Sequence, residues 1–143
     1  MRERIARREL EMLGAVPLFS ACNQSELRQI ARLGTPVTVK AGKVLTNEGT
    51  PGREFFLVVA GAAACTIGGR PAAHFGPGDF FGELALLDGG PRTATVTADT
   101  EMDVLVLDAR EFASLLSASP TISAKIMASL ARRLRAADDA RSS

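Results

Sequence analysis

Apolar residues along the chain change their period twice. At both ends they recur every three or four positions, the spacing of one helix face; in the middle they alternate with polar residues or form short blocks, the spacing of strands. The first helix is predicted over residues 2–12, with Ile5, Ala6, Leu10 and Leu13 as its apolar face. Val16, Pro17, Leu18 and Phe19 form an apolar connector to a second helix. That helix opens with Asn23 and Glu26 as a capping box, carries Leu27, Ile30 and Ala31 on one face, and meets Gly34 where a C-terminal glycine belongs. Near the other end, Asp108 and Glu111 read as a second capping box. A last helix begins at Ser119-Pro120, with Ile122, Ile126, Leu130 and Leu134 as an apolar stripe.

The glycines mark what lies between. Gly14 stands alone, and the other twelve of the 13 glycines lie between Gly34 and Gly90. Glycines at this density punctuate short strands. Strands are predicted around Val37 and Val39, over Val44–Thr46, Glu54–Ala60, Ala62–Ile67, Arg70–Phe75, Thr93–Ala98 and Met102–Leu107. Gly68-Gly69 joins two of them as a tight hairpin. The expected fold is mainly β with flanking α, a sandwich or barrel between terminal helices.

Length and composition narrow the class. A chain of 143 residues, 46% hydrophobic and 23% charged, fits one globular domain spanning 1–143. Its net charge of +1 gives no broad basic surface for nucleic acid, so none is expected to bind directly. Cys22 and Cys65 have neither metal-ligand nor disulfide-framework spacing, and no metal site is expected. Met1–Arg8 alternates Arg and Glu and lacks a signal-peptide core, and the apolar run Phe55–Cys65 is too short to cross a bilayer. A cytoplasmic protein with no membrane segment is the expectation. No nucleophile–base set or paired-acid arrangement is visible, so neither catalytic residues nor an enzyme is expected.

The informative stretch is Phe80–Val96. Gly82 enters a predicted short helix, Gly89-Gly90-Pro91 makes a tight turn, and Arg92 enters the next strand. Backbone N–H groups at a helix start favour an anion, and a glycine there allows close approach. Arg92 can grip two oxygens in a planar fork. A cyclic phosphodiester carries one charge and two free oxygens, which one fork matches. Glu83 would repel phosphate; it is better explained as acceptor for a neighbouring sugar hydroxyl.

Gly82-Glu83-Leu84-Ala85-Leu86 followed by Pro91-Arg92-Thr93-Ala94 resembles the phosphate-binding cassette of the cyclic nucleotide-binding domain family, which includes the bacterial catabolite activator, kinase regulatory subunits and cyclic nucleotide-gated channels. Gly42, Gly49, Gly61 and the Gly76–Glu83 segment resemble the family's β-roll glycines. The resemblance implies an antiparallel, jelly-roll-like β-roll over 36–108, with the cassette at 80–96, N-terminal helices over 1–35, and hinge and lid helices over 109–138. It implies that Glu83 takes the ribose 2′-hydroxyl and Arg92 the cyclic phosphate. Gly82, Leu84, Ala85 and Ala94 would line phosphate and ribose, and the Thr93 hydroxyl would reach phosphate or purine. Cys65, Ala73 and Phe81 would wall the pocket. Arg132 or Arg133 of the last helix would cap the base, with Arg132 preferred. Threonine at position 93 goes with cGMP in kinase-type members, but bacterial members with Ser or Thr there commonly bind cAMP. The Ala-, Arg- and Gly-rich composition looks bacterial, so cAMP is the expected ligand and cGMP the alternative.

The resemblance further implies a regulatory sensor, a monomer or a homodimer through its terminal helices. It could be the sensor fragment of a larger catabolite-activator-like transcription regulator or ion channel. The sequence ends at Ser143 without room for a helix-turn-helix, so an effector domain would belong to a longer parent. Gly76, Gly78 and Gly82 miss the dinucleotide fingerprint by one position and are expected to mark a turn. His74 has no partner pattern and is expected to be structural or exposed.

Overall fold

The computed structural model describes residues 7–142. Two helices, α1 (Arg7–Gly14) and α2 (Gln24–Arg32), flank a 3-10 turn at Pro17–Phe19. Eight strands follow: β1 (Thr35–Val39), β2 (Val44–Thr46), β3 (Glu54–Ala60), β4 (Ala63–Ile67), β5 (Arg70–Phe75), β6 (Phe80–Phe81), β7 (Thr95–Ala98) and β8 (Met102–Asp108). A second 3-10 turn, Glu83–Leu86, lies between β6 and β7, and α3 (Ala109–Ala118) and α4 (Pro120–Ser142) close the order.

All strand pairs are antiparallel, in two four-stranded sheets ordered β1-β8-β3-β6 and β2-β7-β4-β5. This is the β-roll expected from the sequence, with the difference that the two sheets do not close into a barrel. The continuous apolar run of β3 has a simple cause: both of its faces are covered. Phe55 and Leu57 face the helices, in a cluster with Leu13, Phe19, Ile30, Phe112, Ile122 and Ile126. There Phe19 meets Phe55 and Phe112 edge-on, with centroids 5.9 and 5.8 Å apart. Phe56 and Val58 point the other way, into a second cluster with Cys65, Phe81, Val96 and Val104.

Several local expectations need correction. The expected helix over 2–12 is described only from Arg7 and runs on to Gly14; Ile5 and Ala6 lie outside the described residues. Gly34 follows α2 but is not left-handed. Its role is space, since a Cβ there would lie 2.5 Å from Leu105 Cδ1 and 2.7 Å from Cγ of the same side chain. Asp108 caps α3 through Arg110 N–H at 2.7 Å, one position early, so Glu111 closes no capping box. The strand expected from Thr93 begins only at Thr95, because the preceding turn holds Thr93 and Ala94 in a loop. The apolar stripe of α4 is buried at Ile122 and Ile126 and half-buried at Leu130, but Leu134 is 72% exposed.

The Asn23 capping box forms as expected: Asn23 Oδ1 accepts from Glu26 N–H at 2.9 Å, and Glu26 Oε1 accepts from Asn23 N–H at 2.8 Å. The Gly68-Gly69 hairpin also forms, with positive φ at both glycines, as a mirror-image turn requires.

Candidate functional site

The stretch between β6 and β7 borders a cavity of about 670 Å³, within the ordinary size of a small-molecule pocket. Strand β6 hangs from β3 by the register Phe56↔Phe81 and Leu57↔Phe80. The rings of Phe56, Phe81 and Phe75 stack in sequence, with centroids 4.9 and 5.2 Å apart. Gly82 then turns the chain at φ +79°, a conformation that excludes most side chains. The expected short helix is one 3-10 turn, Glu83–Leu86, closed by Ala85 N–H on Gly82 O at 3.1 Å.

Backbone bonds anchor Arg92 to the Gly49–Thr50 loop, and its side chain lies beside Gly82. Its N–H donates to Thr50 O at 2.7 Å, and its carbonyl accepts from Gly49 N–H at 2.8 Å. Its Nη2 donates to Glu54 O at 2.8 Å, and the guanidinium lies over the Phe56 ring, 5.8 Å from the centroid. Burial pushes its pKa below the ordinary arginine value, while the Glu54 carboxylate acts in the opposite direction.

Glu83 is 8% exposed. Its Oε1 pairs with Arg133 Nη1 of α4 at 2.9 Å. Among the described residues, its Oε2 is the one buried side-chain nitrogen or oxygen with no hydrogen-bond partner. A buried carboxylate oxygen in that state is costly, and the residue that carries it lines the cavity. A hydroxyl donor delivered by a ligand would satisfy it.

All seven cassette residues named from the sequence line the cavity: Gly82, Glu83, Leu84, Ala85, Arg92, Thr93 and Ala94. Cys65 and Phe81 line it as well. Burial raises the Cys65 thiol pKa, so it stays protonated as a small apolar wall. Ala73 does not line the cavity: β5 is the edge strand of its sheet, and Arg70–His74 are all exposed. Arg132 does not line it either; its Nη2 donates to Ser129 Oγ at 3.3 Å. The arginine of α4 that reaches the cassette is Arg133. Sequence reasoning also passed over Ile67, Phe75, Asp88 and Val96, which line the cavity, and Gly52, which packs on Arg92. His74 is exposed, 3.8 Å from Asp99. Among the described residues no cluster of His, Cys, Asp and Glu could hold a metal ion, and no helix is long and apolar enough to cross a membrane.

A cavity on a β-roll, lined by a left-handed glycine, a carboxylate and an arginine, has the form of a ligand site, and comparison with known proteins gives its family. The cyclic nucleotide-binding domain profile matches residues 36–119, and the chain belongs to that family. A cyclic nucleotide-gated potassium channel of Rhizobium etli is 40% identical over 119 residues, which is 83% of this chain and 33% of the channel. A CRP-like cAMP-activated global transcriptional regulator of Mycobacterium tuberculosis is 31% identical over 133 residues, 87% of this chain and 58% of the regulator. The chain thus spans about one third to three fifths of these relatives. The crystal structure of the N-terminal domain of a transcriptional regulator from Streptomyces coelicolor A3(2) superposes with a TM-score of 0.84 at 32% identity, covering 91% of this chain and 94% of that one. The protein is therefore a cyclic nucleotide-binding domain similar to cAMP-binding regulatory domains.

Proposed function

We propose that this domain is a cAMP sensor in which Arg92 holds the cyclic phosphate and Glu83 the ribose 2′-hydroxyl. The observation that carries the reading is that Glu83, whose Oε2 is buried without a partner, lines the same cavity as Arg92. A phosphodiester placed against Arg92 and the Gly82 turn meets a planar fork. The sugar beside it offers the donor that Glu83 lacks. The name of the mycobacterial relative supports cAMP as the ligand. The purine would lie against the apolar walls formed by Cys65, Ile67 and Val96. Leu84, Ala85, Thr93 and Ala94 complete the phosphate and ribose walls, and Phe81 backs the Gly82 turn.

Arg133 makes α4 a participant. It contacts Oε1 of the same carboxylate whose Oε2 awaits the ribose, so filling the pocket and positioning α4 are coupled through one side chain. Binding shifts the helix only if one of its positions binds ligand better, and the shared carboxylate supplies that difference. The signal would pass to an effector domain of a longer cytoplasmic parent, either a transcription regulator or a channel.

Calorimetric titration with cAMP and cGMP tests the reading. Wild-type protein is expected to bind cAMP more tightly. Replacing Arg92 by Ala is expected to weaken cAMP binding roughly 10- to 150-fold, the worth of a hydrogen bond to a charged group. Equal affinities of wild type and Arg92→Ala would reject the assignment, and tighter cGMP binding would reject the choice of base.

A further inference from the structure

The Arg92 guanidinium lies in a slot with two glycines for walls, and only one of those glycines is explained by its own backbone. Gly82 has φ +79° and needs to be glycine for that reason alone. Gly52 is buried, and its φ is outside the left-handed region. Its missing side chain is therefore a matter of space. The three heavy atoms nearest to a Cβ built on Gly52 all belong to Arg92: Nε, Cζ at 2.5 Å and Cδ at 2.6 Å. From the other side, a Cβ on Gly82 would lie 2.5 Å from Arg92 Nη1.

The two segments cannot separate easily to relieve such a clash. Gly52 N–H donates to Gly90 O at 3.2 Å, Arg92 N–H donates to Thr50 O at 2.7 Å, and Pro51 and Pro91 form an isolated antiparallel bridge. With the backbones joined at Thr50 and again at Gly52, the guanidinium is the part free to move. Moving it breaks the bond from Nη2 to Glu54 O and its seat over Phe56.

We infer that Gly52 is a positioning residue of the anion subsite: the space of its absent side chain holds the Arg92 guanidinium ready for the phosphodiester. The inference rests on the reading of Arg92 given above. A side chain already seated loses less freedom on binding.

The test is a double-substitution cycle with cAMP as the probe, in calorimetry and thermal melting. Gly52→Ala is expected to lower cAMP affinity about tenfold, in keeping with a misaligned charge-assisted bond. In an Arg92→Ala background the same substitution is expected to cost no further affinity, because its target is gone. In ligand-free Gly52→Ala the Arg92 Nε–H resonance is expected to move as the side chain leaves the Phe56 ring. If Gly52→Ala melts early, Arg92→Ala is expected to restore its melting temperature. Wild-type affinity in Gly52→Ala, beside a weakened Arg92→Ala, would overturn the inference and leave the Arg92 reading intact. Loss of affinity or stability that persists in the Arg92→Ala background would also overturn it, since the glycine would then serve the backbone. Equal cAMP binding by wild type and Arg92→Ala would remove the reading of Arg92 and this inference with it.

Discussion

Helix α4 carries two cations that each meet a buried carboxylate, and the two carboxylates differ in their other partners. Lys125 Nζ reaches Glu26 Oε1 at 2.7 Å, and Arg133 Nη1 reaches Glu83 Oε1 at 2.9 Å. Both carboxylates are about 9% exposed in their side chains. Glu26 also accepts the Asn23 N–H as part of the α2 capping box. Its pKa is held below the ordinary carboxylate value, chiefly by the Lys125 hydrogen bond and then by the Asn23 N–H. Glu83 has no such second partner, and its Oε2 is buried and unpaired. At Glu26 one oxygen is shared by a lysine and a helix cap, the mark of a structural tie; at Glu83 one oxygen is paired and the other is buried with no donor. The same chemistry on one helix thus makes a tie at one end and leaves a buried oxygen unpaired at the other.

The sharpest way to break this contrast is to neutralise each acid in turn. Glu83→Gln is expected to weaken cAMP binding roughly 10- to 150-fold by calorimetry, because the acceptor for the sugar hydroxyl loses its charge. Glu26→Gln is expected to leave the affinity of the folded protein within about twofold, since additivity holds for distant sites. Comparable losses in both variants would erase the distinction.

Stability should show the reverse order, with a smaller effect. Glu26→Gln is expected to cost about 1–3 kcal/mol in urea unfolding, as a charged hydrogen-bonding partner of a partly buried lysine is lost. Glu83→Gln is expected to cost less, because it removes a buried charge with only one partnered oxygen as well as breaking an ion pair. The pH dependence follows from the sign of the Glu26 shift. Its folded pKa lies below its unfolded one, so its contribution is fully present above the unfolded value and is lost as pH falls through the folded value. As pH falls through and below the ordinary glutamate range, the wild type should therefore lose stability faster than Glu26→Gln. Parallel curves would remove Glu26 from the account.

What the sequence made legible divides along the same line. Patterns that need only local chemistry could be read directly: the Asn23–Glu26 box, the Gly68-Gly69 hairpin, and the helix–strand–helix order. The cassette could be read because its residues are close in sequence, and Gly82, Glu83 and Arg92 line one cavity. Features set by distant neighbours could not be read. Gly34 yields to Leu105, Gly52 to Arg92, and Ala73 is exposed because β5 is an edge strand. Glu111 could in principle have closed a box, but Asp108 bonds Arg110 first.

The choice between Arg132 and Arg133 belongs with neither group, since a signal for it was present. Counting about 100° per residue from Ile122, position 133 falls within about 20° of that buried side chain, while position 132 lies about 80° away. Ile126 and Ser129 share the face with Ile122 and are both 2% exposed. Arg133 extends that inward face to the cassette, and Arg132 turns aside to Ser129. The smallest expected effect follows from this. Arg133→Ala should weaken cAMP binding only about two- to fivefold, the range of a partly exposed ion pair, and Arg132→Ala should leave it unchanged. Affinity alone separates the two poorly, so amide exchange is the better measurement. In wild type, cAMP should slow exchange over residues 121–137, because ribose on Oε2 fixes the carboxylate that Arg133 grips through Oε1. Arg133→Ala should abolish that slowing while Arg132→Ala keeps it. Slowing that survives in Arg133→Ala would mean that the helix senses the ligand by another route.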